Sequence, residues 1–307
     1  MNRVAIVIVT YNSGGHIGAC LDSLGALQDT EIVVVDNASA DSTRAEVASR
    51  GVRSIPNAQN AGFAAAVNQG VRATSAPLVL LLNPDACLEG DLDPLIGEFD
   101  DPRIGAAGGL LTGADGRPQT GFMARNLPTA ATLAFEVLGI NSVWPRNPLN
   151  WHYRCLGLDP VTPCFVEQPA GAFLMFSRAI WEGVGGFDER YWPLWFEDVD
   201  FCWKVKQAGK LVRYNPLAAA RHEGAHTAGA LPLEVRERYW YGSLLEYAAN
   251  HYRLLGFRSI CVATIFGATL RAVRGLPRLG FKAVAVYGAV CRLAFGRIMT
   301  VRSRLSD

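Results

Sequence analysis

Three short polar clusters in this chain carry side chains that could bind a phosphorylated ligand. They are Thr10-Tyr11-Asn12, Asp36-Asn37-Ala38-Ser39 and Asn83-Pro84-Asp85, and each follows an apolar run. A carboxylate at Asp36 can accept from a ribose hydroxyl or a base N–H. One at Asp85 can hold a hard cation that bridges two phosphates. A plainer use is open to the same residues, since Asp36 and Asn37 can close an Asx turn and cap the next helix. A fourth cluster, Glu197-Asp198-Val199-Asp200, sits among Tyr191, Trp192, Trp195, Phe196 and Phe201. Aromatic walls around an acid suit sugar stacking and proton abstraction. Acids at a helix start are also favoured by the helix dipole alone.

The elements that must position these residues can be read from apolar periodicity. Val4–Val9 is a continuous β-branched run, the pattern of a strand buried on both faces. Ile17, Leu21 and Leu24 recur at helical spacing, and Ile32–Val35 is a second buried strand. A helix is expected over Ser42–Arg50, a short strand near Val52–Ile55, a helix over Phe63–Ala73 and a strand at Leu78–Leu82. Strands alternating with helices imply βαβ units and a parallel sheet, which binds ligands at the carboxyl ends of its strands. The polar clusters occupy those ends. No GxGxxG follows the first strand, which disfavours a dinucleotide site. Residues 112–165 hold six prolines, from Pro118 to Pro163, and read as an irregular insertion over the sheet edge. Regular structure is expected again at Gly171–Ser177 and Glu197–Ala208, and the last 80 residues have a basic, helical pattern.

Composition narrows the class. Of 307 residues, 50% are hydrophobic and 19% charged, which is globular and not disordered. The net charge of +1 calls for no nucleic-acid partner. Charge is uneven, however: residues 226–307 carry 12 Lys and Arg against 4 Asp and Glu, while the rest of the chain is net acidic. Such a tail fits docking against something anionic. The seven cysteines form no CxxC pair, so neither a zinc ribbon nor a disulfide framework is expected, and a reducing cytosol fits. The N-terminus shows no basic-then-apolar leader pattern. Ile260–Leu270 and Ala283–Cys291 are apolar but broken off by basic residues, the lengths of interfacial helices and not of spanning ones. A membrane surface, a helical pair completing the core and a homodimer contact all remain open for them.

VIVTYN, VVVDNASADST, NAGFAAAVNQG and LLLNPDA resemble the N-terminal half of family-2 glycosyltransferases of the GT-A fold, in the bacterial rhamnosyltransferase-like branch. PAGAFLMFSR, GGFDERYWPLWFEDVDFCWKVKQAG and RHEGAHTAG continue the resemblance in the same order, to about residue 255. It implies a GT-A domain over 1–228 and a helical, basic extension over 229–307. It also implies that Asp36 contacts the nucleotide, with Thr10, Tyr11, Asn12 and Asn37 beside it. Asn60 and Gly62 match a loop near the nucleotide-sugar, and Asn68 lies on the helix behind. Asp85 matches the metal ligand, with Asn83 where many relatives have Asp. His222 matches a histidine that completes the metal site, and His226 and Arg221 are lesser candidates, the latter for a diphosphate. Gly171-Ala172 matches a small-residue shelf at the sugar, and Asp198 matches the general base. Asp200 is expected to face inward or cap.

The resemblance further implies inverting transfer from a nucleotide-diphosphate sugar with Mg2+ or Mn2+ as cofactor. The branch points to dTDP-L-rhamnose as donor and a polyprenyl-diphosphate-linked saccharide as acceptor, at the cytoplasmic face of the membrane. No Gln-X-X-Arg-Trp occurs, so single addition is expected and not processive synthesis. Two rivals stand: a UDP-hexose or UDP-galactofuranose transferase of the same fold, and a non-catalytic nucleotide-sugar-binding subunit. A nucleotidyltransferase would want a basic, Gly-rich loop after strand one, and Asn12-Ser13-Gly14-Gly15 has no Lys or Arg.

Overall fold

The computed structural model describes residues 2–224, 229 and 231–300. The chain divides into two compact units. The first comprises Met1–Leu127, Arg154–Glu189 and Glu197–Ala230, and the second Pro128–Tyr153, Arg190–Phe196 and Leu231–Asp307.

The first unit is built on a nine-stranded sheet. Its first half is the expected βαβ series: β1 (Val4–Thr10), α1 (Ile17–Ser23), β2 (Thr30–Asp36), α2 (Thr43–Ser49), β3 (Arg53–Pro56), α3 (Phe63–Arg72) and β4 (Leu78–Leu82). These strands are parallel in the order β3-β2-β1-β4. All seven residues of β1 are buried, as a strand covered on both faces must be. Alternate residues feed two cores: Val4, Ile6 and Ile8 pack with Ile17 and Leu21, while Ala5, Val7 and Val9 pack with Ala64, Val67 and Val71. Helix α3 comes so close that a Cβ at Gly70 would lie 2.4 Å from Val7 Cγ1. Overpacking of that kind costs roughly 1–3 kcal/mol.

Beyond β4 the sheet turns mixed. The next elements are β5 (Ala86–Glu89), α4 (Asp93–Glu98), β6 (Ile104–Thr112) and β7 (Ala124–Arg125). After an excursion into the second unit come β8 (Cys164–Val166), β9 (Gln168–Pro169), β10 (Phe173–Ser177), α8 (Arg178–Gly183), α9 (Glu197–Gln207) and β11 (Leu211–His222). Strand β10 inserts antiparallel between β4 and β6, and β11 lies between β6 and β5. The pair β7–β9 forms a small separate sheet.

The second unit is helical. It contains α5 (Ala130–Leu138), α6 (Ile140–Val143), α7 (Pro148–Tyr153), α10 (Leu233–His251), α11 (Leu254–Leu279) and α12 (Phe281–Thr300). The stretch expected to be irregular over 112–165 thus holds three short helices between residues 130 and 153. The first of them, α5, fits closely against the tail: a Cβ at Gly267 of α11 would strike the Val137 carbonyl oxygen at 2.0 Å. The Arg271 guanidinium donates to the Val137 and Glu136 carbonyls at the end of α5, where unpaired acceptors and the helix dipole favour a cation. Arg297 pairs with Glu246 at 2.8 Å.

The expectation of short interfacial segments is corrected here. The apolar runs at 260–270 and 283–291 are the middles of helices of 26 and 20 residues, both long and apolar enough to cross a membrane by length and composition. Arg271, Arg274 and Arg278 lie inside α11 and do not end it, because Arg is a good helix former. Only 39% and 22% of the most apolar windows are buried inside the protein. Leu255, Val262, Phe266, Val273 and Phe281 are among the apolar side chains left exposed.

Candidate active site

Register brings the first two clusters together. Thr10 pairs with Asp36 across β1 and β2, and Ile8 pairs with Leu82, so all three strands end at one edge. The Asp36 carboxylate is buried and accepts from Thr10 Oγ1 at 3.0 Å, Ser39 N at 3.1 Å and Arg44 Nε at 2.6 Å. Burial pushes this carboxyl up, but the bonds from Ser39, Arg44 and Thr10 outweigh it and hold the group below the ordinary carboxylate range. Asn12 is exposed, with φ of +53°, and stitches the β1 and β2 loops together. Its N–H donates to Ser39 Oγ at 2.9 Å, and its Oδ1 accepts from Ala40 N at 2.9 Å. Ser13 N and Gly14 N likewise donate to Thr43 Oγ1 and Asp41 Oδ2. Tyr11 is half-buried beside this seam. Arg44 escaped the sequence reading because a lone Arg in an amphipathic helix looks like surface; its position eight residues past Asp36 was the only signal.

Asn37 is used differently. Its Nδ2 donates to the Gly62 carbonyl at 3.1 Å and its Oδ1 accepts from Asn57 Nδ2 at 2.9 Å. Both ends of the amide therefore tether the loop that precedes α3. In that loop Asn60 Oδ1 accepts from Gly62 N at 2.9 Å. Gly62, at φ +90°, occupies a conformation that favours glycine. Asn68 is fully occupied inside the unit: Trp181 Nε1 and Phe187 N donate to it, and it donates to the Phe187 carbonyl and Glu189.

The third cluster meets the end of β11. His222 Nε2 lies 3.3 Å from Asp85 Oδ1 and 3.4 Å from Asn83 Nδ2. The ring's other nitrogen, Nδ1, is 3.1 Å from Gln119 Oε1. Phe122 stacks on the imidazole at 5.3 Å between centroids, the planes 1° apart. Gln119 and Phe122 carried no sequence signal, lying in a turn with no polar pattern. Arg221 is exposed on β11, and His226 lies outside the described residues.

Asp198 sits in the first turn of α9. Its Oδ2 accepts from Gln168 Nε2 at 3.0 Å and Gly171 N at 3.1 Å, and its Oδ1 from Val199 N at 2.8 Å. A Cβ on Gly171 would stand 3.1 Å from Asp198 Cβ, so the missing side chain is what lets α9 approach this closely. Asp200 is buried and pairs with Lys204 at 2.8 Å. Glu197 is buried as well; burial first, and then the charge of Asp198, push its carboxyl well above the carboxylate range. One member of the expected aromatic wall is taken by the core. Phe201 is a core residue stacked on Phe187 at 4.4 Å. Tyr191 and Phe196 belong to the helical unit, where Phe196 packs on Tyr247 at 5.3 Å and Asn250 Nδ2 donates to the Tyr191 hydroxyl at 3.3 Å.

One short segment joins the Asp198 and Asp85 clusters. Gly171 N donates to Asp198, and the carbonyl of the next residue, Ala172, accepts from Asn83 N at 3.0 Å.

The architecture is that of GT-A glycosyltransferases. The mannosyltransferase PcManGT of Pyrobaculum calidifontis, solved in complex with GDP-Man and Mn2+, matches with a TM-score of 0.54 at 16% identity, covering 97% of this chain and 87% of that one. Staphylococcus aureus TarS 1–349 matches with a TM-score of 0.53 at 15% identity, covering 100% and 98%. The fold is therefore a GT-A domain with C-terminal helices. Sequence comparison is more specific. The family described as Glycosyl transferase family 2 matches residues 5–155. An N-acetylglucosaminyl-diphospho-decaprenol L-rhamnosyltransferase of Mycobacterium tuberculosis is 33% identical over 248 residues, 74% of this chain and 78% of that protein. A pre-mycofactocin glycosyltransferase of the same species is 28% identical over 262 residues, 81% of this chain and 48% of that protein. The chain belongs to glycosyl transferase family 2, in its rhamnosyltransferase-like branch, and is a glycosyltransferase.

Proposed function

We propose that this enzyme transfers L-rhamnose from dTDP-L-rhamnose, with inversion, to a polyprenyl-diphosphate-linked saccharide in cell-envelope synthesis. The observation that carries the reading is the Gly171-Ala172 bridge, which ties a candidate base, Asp198, to a candidate cation site, Asp85 with His222. The similarity to an L-rhamnosyltransferase supports the donor sugar and the lipid-linked acceptor.

Each residue has work suited to its surroundings. Asp36 stays ionised and, with Thr10, Tyr11 and Asn12, lines the end of the sheet where the nucleotide binds. Asn37, Asn60 and Gly62 shape the loop beside it. Asp198, held by Gln168 and Gly171, takes the acceptor hydroxyl proton as that oxygen attacks the anomeric carbon. A carboxylate oxygen and an imidazole nitrogen 3.3 Å apart form a donor pair that fits Mn2+ or Mg2+. Among the described residues no group of three or more His, Cys, Asp or Glu could hold a metal, so diphosphate and water would complete the shell. When bound, the cation neutralises charge on the departing diphosphate. Asn83, beside His222, holds the place of a further carboxylate.

The catalytic domain spans 1–228 in this proposal, and the basic segment 229–307 docks on the cytoplasmic face of the membrane. Exposed apolar residues on α11 and α12, next to Arg274, Arg278 and Lys282, support docking on anionic lipid over a homodimer contact. A panel of nucleotide-sugars, screened by thermal shift with and without Mn2+ or Mg2+, tests the donor. Stabilisation by dTDP-L-rhamnose is the expected outcome, near 2.7 kcal/mol at about 100 times Kd. Stabilisation by UDP-hexose or UDP-galactofuranose alone would overturn the donor assignment.

A further inference from the structure

We infer that Gln119 is a positioning residue that fixes the tautomer of His222 and thereby makes its Nε2 available to a cation. The inference rests on the cation-site reading given above. It begins with the orientation of the Gln119 amide. Gln119 Nε2 donates to the main-chain carbonyl of His222 at 2.7 Å, a group that can only accept. That contact identifies the other end of the amide as oxygen, and this oxygen lies 3.1 Å from His222 Nδ1. A carbonyl oxygen has no proton to give, so the ring must donate from Nδ1. Neutral imidazole carries one N–H. Nε2 is then a lone pair, and it faces Asp85 Oδ1 at 3.3 Å.

The same turn also holds the ring in place. Gln119 N donates to the Leu111 carbonyl at 2.8 Å, and the Gln119 carbonyl accepts from Phe122 N and Met123 N, each at 3.0 Å. This short loop therefore presents Gln119 to the edge of the imidazole and Phe122 to its face. Without the Gln119 oxygen, the proton is free to move to Nε2. There it would donate to Asp85 and close the site against a cation. Metal-binding histidines elsewhere have their second nitrogen held in this way, and removing the holder typically weakens metal binding about 10–100-fold.

The test uses the full chain and reads out no activity. The tautomer of His222 is read from ring-nitrogen chemical shifts of [15N]-histidine-labelled, metal-free protein, with His222→Ala supplying the assignment. Affinity for Mn2+ is measured by electron paramagnetic resonance, for Mn2+ alone and with dTDP. Wild type is expected to show the Nδ1–H form. Gln119→Leu should shift toward Nε2–H and bind Mn2+ about 10–100-fold more weakly. Gln119→Glu keeps an oxygen at Nδ1 but loses the donor to the His222 carbonyl, so it should keep the Nδ1–H form and bind Mn2+ more tightly than Gln119→Leu, though below wild type. An Nε2–H ring in wild type overturns the inference, whether or not the Leu variant folds. So does wild-type Mn2+ affinity in a folded Gln119→Leu protein. Failure of wild type to bind Mn2+ at all, with or without dTDP, instead overturns the cation site itself.

Discussion

Replacing Asp198 by Asn exchanges one carboxylate oxygen for an amide nitrogen in a group that receives three hydrogen bonds. An amide oxygen at the Oδ2 position still accepts from Gln168 Nε2 and Gly171 N. The Oδ1 position becomes an NH2 and loses the bond from Val199 N. One lost hydrogen bond costs about 0.5–1.5 kcal/mol, and the lost charge at the start of α9 about 0.3–1 kcal/mol. A destabilisation of roughly 1–2 kcal/mol leaves a typical domain folded. The proton acceptor, by contrast, is gone, and a positioned base is worth about 10²–10⁴ in rate, or about 2.7–5.4 kcal/mol of barrier. The chemical loss thus exceeds the structural one. Asp200→Asn supplies the control, with the opposite balance. Asp200 is buried and its partner Lys204, 2.8 Å away, is half-buried; weakening a charged hydrogen bond of this kind costs about 1.5–3 kcal/mol. We expect Asp198→Asn to keep donor affinity, lower Tm slightly and lose transfer, while Asp200→Asn lowers Tm more and keeps activity per folded molecule. Donor binding by calorimetry, melting by circular dichroism and transfer to a lipid-linked acceptor measure the three quantities. Activity losses that track Tm in both variants would refute the assignment of Asp198 as base.

Asp85→Asn should keep the fold and abolish the metal-dependent part of nucleotide-sugar stabilisation in a thermal-shift assay, with His222→Ala doing the same more mildly; unchanged metal response in both would remove the cation site. Asp36 has a folded-state carboxyl below its ordinary value, so its contribution to stability is present above about pH 4 and is lost as pH falls through the lower folded value. The stability gap between wild type and Asp36→Asn should therefore shrink in acid urea titrations, and a gap that stays constant to pH 2 would contradict the hydrogen-bond account. The full chain should sediment with anionic liposomes, less so in high salt and less so with Arg274→Glu and Arg278→Glu, at about 1 kcal/mol per charge near the surface; salt-insensitive binding, or none, would argue for packing or dimerisation.

The βαβ half of the fold was legible because a parallel sheet covered on both faces forces continuous apolar strands. Leu78–Leu82 matches its expected bounds, and α3 differs from its expected range only at the last residue. The helices at 130–153 were not legible. They carry prolines at their edges, and α5 packs against α11, more than a hundred residues away. The length of α11 and α12 was misjudged because arginine interrupts an apolar run without interrupting a helix. Within the site, the carboxylates stood out by type. Their partners did not: Arg44, Gln119 and Gln168 are ordinary polar residues whose meaning lies only in what they touch. Phe201 shows the converse, since an aromatic next to an acid looked like a sugar platform and is core.

The least legible feature, the insertion of β10, is the one that assembles the site. A continued βαβ series would have placed a parallel strand next to β4. Instead β10 runs antiparallel, with Phe173 opposite Leu82, so its N-terminal approach lies against the C-terminal end of β4. That reversal brings Gly171-Ala172 beside Asn83, and the small residue at 171 lets α9 close on the same segment with Asp198. Strand β11 then runs parallel to β6 and delivers His222 opposite Ala86, next to Asp85. Four segments far apart in sequence meet because two strands enter a parallel sheet out of order. The acids at 85 and 198 are therefore linked through the main chain. A change that shifts Ala172 should disturb both acids, whereas a change at Asp36, two strands from β4, should disturb neither.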